Sequence, residues 1–286
     1  MLIKRNLKLF FRDKAGVFFS LLAVFIIIGL YALFLRSMME NALENALGFY
    51  SDRIGITMSS LILGGMVAVT SITSCLGAIG ISIADKERVT KDFITSPISR
   101  KKITFSYIVS SGIVGFIMTT IALILCIAYI VSIGGNMPNI TDWGLLMLTV
   151  VLSVLCANAM VFFIATFIKG QSAFAAFSTV IGTLIGFIMG IYIPIAQLPD
   201  AIQWVIKLFP LSHSASMFRQ IMADDELTQL FAYAPPEALE SFREFFGVVF
   251  VYGNFISSFW LSAMILAVTT VLFYGLSLAV IVKRKY

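Results

Sequence analysis

Charged residues are missing from every long apolar run of this sequence. Six such runs, at about residues 17–35, 57–83, 103–133, 143–168, 172–193 and 257–282, contain no Asp, Glu, Lys, Arg or His. Ion-coupled carriers and proton pumps place such groups at membrane depth, because a coupling ion or proton needs a titratable or anionic site there. Proton coupling is therefore excluded more firmly than sodium coupling, since carbonyls and hydroxyls can hold sodium. A Gly-x-x-x-x-Gly-Lys-Ser/Thr phosphate loop is also absent, and no polar stretch is long enough to fold around a nucleotide. The one histidine, His213, has no neighbours at metal-ligand or triad spacing, so no catalytic residue, metal or cofactor is expected in the chain. The three cysteines, Cys75, Cys126 and Cys156, all fall inside apolar runs and read as small apolar filler.

What the sequence has instead is apolar length. Of its 286 residues 59% are hydrophobic, only 12% are charged and 26 are Phe; a soluble domain carries about 25% charge. At 1.5 Å per residue, about 20 residues cross the ~30 Å hydrocarbon layer. Each of the six runs suffices, and none shows the alternation of outer-membrane strands. The expected fold is an all-α membrane protein with six transmembrane helices in a single domain over 1–286. The first run exceeds a secretory h-region and is followed by no small-x-small site, so it reads as a retained signal anchor.

The charges sort by side. All but five of the 20 basic residues lie before the first run, in the second and fourth connections, or after the last run. The exceptions are Arg36, Arg53, Lys207, Arg219 and Arg243, which share the opposite side with all but four of the 15 acidic residues. Both termini are expected in the cytoplasm. The net charge of +5 thus divides into a basic inner face, suited to anionic membrane lipids, and an acidic outer face. Basic residues spread along a membrane boundary do not suit a nucleic acid. Within residues 1–14, Ile3, Leu7 and Phe10 lie opposite Lys4, Lys8 and Arg12, the pattern of an interfacial helix.

Three further features carry information. The segment 84–102 concentrates Lys86, Arg88, Lys91, Arg100, Lys101 and Lys102 between two apolar runs. The second run is rich in small and hydroxyl residues, among them Thr70, Ser71 and Ser74, and the fifth repeats Ser178, Gly182, Gly186 and Gly190 every four residues. Such residues either let helices approach closely or line a substrate path. The long connection 196–256 has an amphipathic stretch at Ile202, Val205, Ile206 and Phe209, a break at Pro210, and an apolar piece at 242–252 too short to span. Re-entrant or interfacial outer helices are expected there.

Two groups of residues carry a resemblance. One is Ile191-Tyr-Ile-Pro-Ile-Ala-Gln-Leu-Pro-Asp200, with its Pro194, Leu198 and Pro199, followed by Gln203-Trp204, Phe209-Pro210-Leu211 and Met217-Phe-Arg219. The other is Glu87-Arg88, Thr90, Asp92, Phe93 and Ser96-Pro97-Ile-Ser-Arg100. In this order, between these runs, they resemble the type-2 ABC exporter permeases over nearly the whole chain. The sequence departs from that pattern at Val89, where glycine is usual, and at Tyr107, near a usual lysine.

The resemblance implies a membrane subunit without an ATPase site of its own. It implies two copies of a cytoplasmic ABC ATPase carrying ATP and Mg, and a second permease, identical or paralogous. Residues 84–102 would be the coupling segment, with Glu87, Arg88, Thr90, Asp92, Phe93, Pro97 and Arg100 at the ATPase. The N-terminal helix would add a second contact, and the second and fifth spans would be candidate path walls. Pro194, Leu198, Pro199, Trp204, Pro210 and Arg219 would form the outer motif. A hydrophobic or amphipathic cargo, such as a drug, an antimicrobial peptide or a lipid, would leave across a bacterial plasma membrane. An ion-driven carrier or channel and a non-transporting sensor subunit are the alternatives.

Overall fold

A computed structural model describes residues 2–30, 53–94, 100–168, 170–232, 234–253 and 255–283. Within them run α1 (Leu2–Arg12), α2 (Lys14–Leu30), α3 (Arg53–Ile94), α4 (Arg100–Ser132), α5 (Ile140–Ala165) and α6 (Gln171–Ile188). After a 3-10 turn at Ile195–Gln197 come α7 (Asp200–Leu208), α8 (Pro210–Leu230), α9 (Pro236–Phe245) and α10 (Phe259–Lys283). Among the described residues the strands are β1 (Val251–Tyr252) and β2 (Phe255–Ile256), an antiparallel pair in which Val251 faces Ile256. This is an all-α membrane protein.

Among the described residues five helices are long and apolar enough to cross a membrane: Arg53–Asp85, Lys102–Ser132, Ile140–Ala165, Gln171–Ile188 and Phe259–Ile281. The expected first span is helical as far as Leu30, and residues 31–35 lie outside the described residues. The fifth span ends earlier than residue 193. Gly190 takes φ +61°, Ile191 N–H donates to the Gly186 carbonyl and Gly190 N–H to that of Phe187, closing α6 in a Schellman motif.

The centre of the bundle is α3, which packs against α2, α4, α5, α6 and α8. Its Ile54, Met58, Leu61, Leu63, Met66, Val67 and Ala68 are wholly buried. The small residues set how closely its neighbours come: a Cβ on Gly115 of α4 would stand 2.8 Å from Cys75 Sγ and 3.0 Å from Val154 Cγ1. Between α4 and α5, Asn158 donates to the Ile108 carbonyl at 2.9 Å and accepts from Ser111 Oγ at 2.8 Å. Interhelical bonds of this kind hold where no water competes. Asn139 and Asp142 form a capping box that starts α5, and Pro210 occupies the first turn of α8.

The remaining spans are peripheral. Only 17% of the apolar stretch of α6 and 11% of that of α10 are buried against the rest of the chain, so most of their side chains face outward. On α10 the outward residues are large, including Trp260, Met264, Val268, Val271 and Leu272.

Candidate functional site

The charged segment is a continuation of a span. Helix α3 runs unbroken for 42 residues, from Arg53 through Asp85 to Ile94. At 1.5 Å per residue it is about 63 Å long, twice the hydrocarbon thickness. The expected coupling helix is therefore not set off from the second span over its first part. The physical reason is local: between Gly80 and Pro97 there is neither glycine nor proline, and Glu87 and Lys91 have the i, i+4 spacing that favours helix. Glu87, Arg88, Thr90, Asp92 and Phe93 lie on this extension, Arg100 opens α4, and Pro97 falls at 95–99, outside the described residues.

At the opposite end the structure gathers the outer motif around one side chain. Arg219 of α8 is 1% exposed and is the largest fully buried residue. Its Nε donates to the Leu61 carbonyl on α3 at 3.0 Å, its Nη2 to the Met189 and Gly190 carbonyls at 2.5 and 3.0 Å, and its Nη1 to the Gly247 carbonyl at 3.4 Å. One guanidinium thus holds α3, the C-terminus of α6 and the turn after α9. Its partners are carbonyl dipoles, including the negative end of a helix. Burial lowers its pKa to about 10, so it stays cationic at neutral pH. Gly64 and Gly65 make room for it: a Cβ on Gly64 would come within 3.1 Å of the Arg219 backbone nitrogen, and one on Gly65 within 2.7 Å of Nη2.

The other motif residues shape the path of the chain into this hub. Pro194 precedes the 3-10 turn, Pro199 precedes α7, and the Leu198 carbonyl accepts from Gln203 Nε2 at 2.8 Å. Trp204 lies half exposed on α7, with Lys207 Nζ 5.8 Å from its ring centre, beside exposed Ile202, Val205 and Leu208. An apolar outward face flanked by an aromatic and a cation suits the membrane boundary. Near the start of α3, Glu226 of α8 accepts from Arg53 at 2.9 Å and from Asn136 at 3.3 Å.

The small-residue face resolves into separate roles. Thr70, Ser71 and Ser74 are buried inside the subunit; Thr70 and Ser71 donate to the Met66 and Ala68 carbonyls, while Ser74 Oγ and Ser178 Oγ have no partner among the described residues. The fifth-span glycines do not form one continuous stripe. Gly182 faces open space, a Cβ on Gly186 would overlap the ring of Tyr192, and Gly190 ends the helix.

His213 is buried at the contact of α8 with α10. Its Nδ1 lies 3.2 Å from Ser262 Oγ, its Nε2 3.2 Å from the Lys207 carbonyl, and Phe250 meets the ring edge-on. Burial lowers its pKa. A histidine held neutral in this way contributes stability above its unfolded pKa of about 6.5, and that contribution is lost as pH falls toward the lowered folded value. The detergent-solubilised protein is expected to lose thermal stability over that window, and His213→Gln to flatten this part of the profile. An unchanged slope in the variant would assign the loss to other groups.

The sequence family described as ABC-2 type transporter matches residues 1–223. The chain belongs to that family. The match runs from α1 through the central helix and its charged extension and into α8 as far as residue 223, and so includes Arg219. No curated protein matches the chain. As a member of that family it is a multi-pass membrane protein with an ABC permease role.

Proposed function

We propose that this permease is the membrane half of an ATP-driven exporter. Two cytoplasmic ABC ATPase subunits, carrying ATP and Mg, would drive a pair of permeases of this kind. Both termini would be cytoplasmic, in a bacterial plasma membrane, and the cargo would be hydrophobic or amphipathic: a drug, an antimicrobial peptide or a lipid. The observation that carries the proposal is α3. A single helix that forms the centre of the bundle and continues into the charged segment is a stiff lever, so force applied at 86–94 reaches the core without crossing a flexible joint. Glu87, Arg88, Thr90, Asp92, Phe93, Pro97 and Arg100 are the proposed contact with the ATPase.

The second permease would cover the open face of α6. Thr179, Gly182 and Thr183 lie there among Val180, Leu184 and Phe187, a smaller and more polar surface than the outward face of α10, which suits lipid. A path between two permeases would run along that face, since Thr70, Ser71 and Ser74 of α3 are buried within one subunit.

The test is reconstitution in liposomes. The purified permease alone is expected to hydrolyse no ATP and to move no cargo. With its ATPase it is expected to transport, and Glu87→Arg with Arg88→Glu is expected to reduce transport roughly tenfold or more while membrane insertion is kept, because like charges placed across an interface cost several kcal/mol. Normal transport by the double variant would overturn the contact assignment. Transport by the permease alone would establish an ion-driven carrier or channel.

A further inference from the structure

Where α3 leaves the bundle, three chain segments meet on one carboxylate. Arg5 of α1 donates from Nη1 to Asp85 Oδ2 at 2.8 Å and from Nη2 to Asp85 Oδ1 at 2.7 Å, a two-pronged pair. Tyr107 of α4 donates its hydroxyl to the same Oδ2 at 2.9 Å. One residue along α1, Asn6 Nδ2 lies 3.3 Å from Ser106 Oγ and 3.4 Å from Ser110 Oγ on α4. Phe10, 2% exposed, packs with Ala78 of α3 and with Val114 and Met118 of α4. The Asp85 side chain is 11% exposed and that of Arg5 36%. The pair is thus shielded on the carboxylate side, and its charge-assisted bonds are stronger and more directional than those of an exposed ion pair. Arg5 is held further in its charged form, chiefly by its hydrogen bond to Asp85.

The position of this joint matters more than its strength. Asp85 is the last residue of the membrane-crossing part of α3, and the next nine residues form the charged extension. A helix driven at its cytoplasmic end moves there first. Whatever is fastened at Asp85 moves with it, and what is fastened is α1 on one side and the start of α4 on the other. The cavity beside the joint, lined by Asn6, Ser82, Asp85, Tyr107 and Ser110, measures about 10 Å³, room for about one water. With so little free space beside it, the polar groups of the joint serve each other.

We propose that the Asp85 carboxylate, gripped by Arg5 and Tyr107, is a three-way joint that makes α1, the base of α3 and the base of α4 move as one piece when the cytoplasmic end of α3 is displaced. Arg5, Asp85 and Tyr107 are positioning residues in this proposal, which rests on the exporter function above. A staple that only helps folding would use the same contacts, so the test must separate the two.

Two measurements do so. In the first, spin labels are placed at Lys8→Cys on α1 and Phe105→Cys on α4, both exposed positions, in the purified permease. The native cysteines are buried. The distance distribution is expected to be narrow with Asp85 present, to broaden in Asp85→Asn, and to narrow again in the exchanged pair Arg5→Asp with Asp85→Arg. A distribution untouched by Asp85→Asn overturns the joint without any reference to an ATPase. In the second, the permease and its ATPase are reconstituted together. Asp85→Asn and Tyr107→Phe are expected to keep ATP hydrolysis but to lower transport per ATP roughly tenfold, as expected when a charge-assisted bond in the transmission is lost, and the exchanged pair is expected to recover a large part of it. Equal transport per ATP in variants and wild type overturns the proposal, as does a loss confined to the amount of inserted protein. If the wild type itself is not driven by any ATPase, the exporter function fails, and the label distances still decide whether the joint exists.

Discussion

Arg219→Met is expected to lower the unfolding free energy of the permease by about 4 kcal/mol, the cost of leaving several buried carbonyls without a donor at about 1–3 kcal/mol each. In a chain of this size that corresponds to a fall of about 10 °C in thermal midpoint. Two effects compete. Burying a guanidinium is costly, and replacing a buried ion pair by apolar residues is often neutral or even stabilising. That compensation needs both partners to go. Here the partners are the Leu61, Met189, Gly190 and Gly247 carbonyls, which no side-chain substitution removes; Leu61 lies inside α3 and keeps its helical bond, so the orphaned Met189, Gly190 and Gly247 carbonyls decide the sign. Arg219→Lys keeps the charge but not the planar fork, and is expected to fall between wild type and Met. Arg243→Met is the control. Arg243 pairs with a more exposed Asp224 at 2.6 Å, and its loss is expected to cost no more than about 1 kcal/mol. Thermal unfolding of the three variants in detergent checks the order. Equal shifts for Arg219→Met and Arg243→Met would show that the carbonyl cage contributes little.

Five of the expected spans were legible because the bilayer imposes a length and a composition that sequence displays directly. The continuity of α3 into the charged segment was legible in part, through the lack of helix breakers between Gly80 and Pro97. The hub at Arg219 was not. Its partners are backbone carbonyls, which carry no residue identity, and they come from positions 61, 189, 190 and 247, brought together only by the fold. The four-residue repeat at Ser178, Gly182, Gly186 and Gly190 misled for a definite reason. A common helical face presumes a helix through Gly190, whereas that glycine takes a positive φ and ends α6. Gly64 and Gly65 were the available clue, an adjacent pair in a central helix that marks where another backbone comes close. Tyr107, noted only as a departure from the family pattern, turns out to be a donor to Asp85.

Gly65→Ala is expected to reverse the usual effect of its kind. In a helix interior alanine is favoured over glycine by about 1 kcal/mol, and at Gly182, which faces open space, that preference is expected to appear as neutral or slightly raised stability. At Gly65 the new Cβ would sit 2.7 Å from Arg219 Nη2, 3.3 Å from the Met189 carbonyl oxygen and 3.3 Å from Ile191 Cγ1. A flexible side chain would move aside cheaply. This one cannot, because the same nitrogen is bonded to two carbonyls, and relief from the clash means breaking them. A loss of about 2–3 kcal/mol is therefore expected, in the range of overpacked cores. The decisive measurement is the double-mutant cycle. With Arg219→Met in place the guanidinium is gone, so adding Gly65→Ala is expected to cost nothing or to stabilise slightly, giving a coupling of about 2 kcal/mol between the two positions. Strict additivity would mean that Gly65 is small for the sake of Met189 and Ile191, and that the arginine is a bystander to the close approach of α3 and α8.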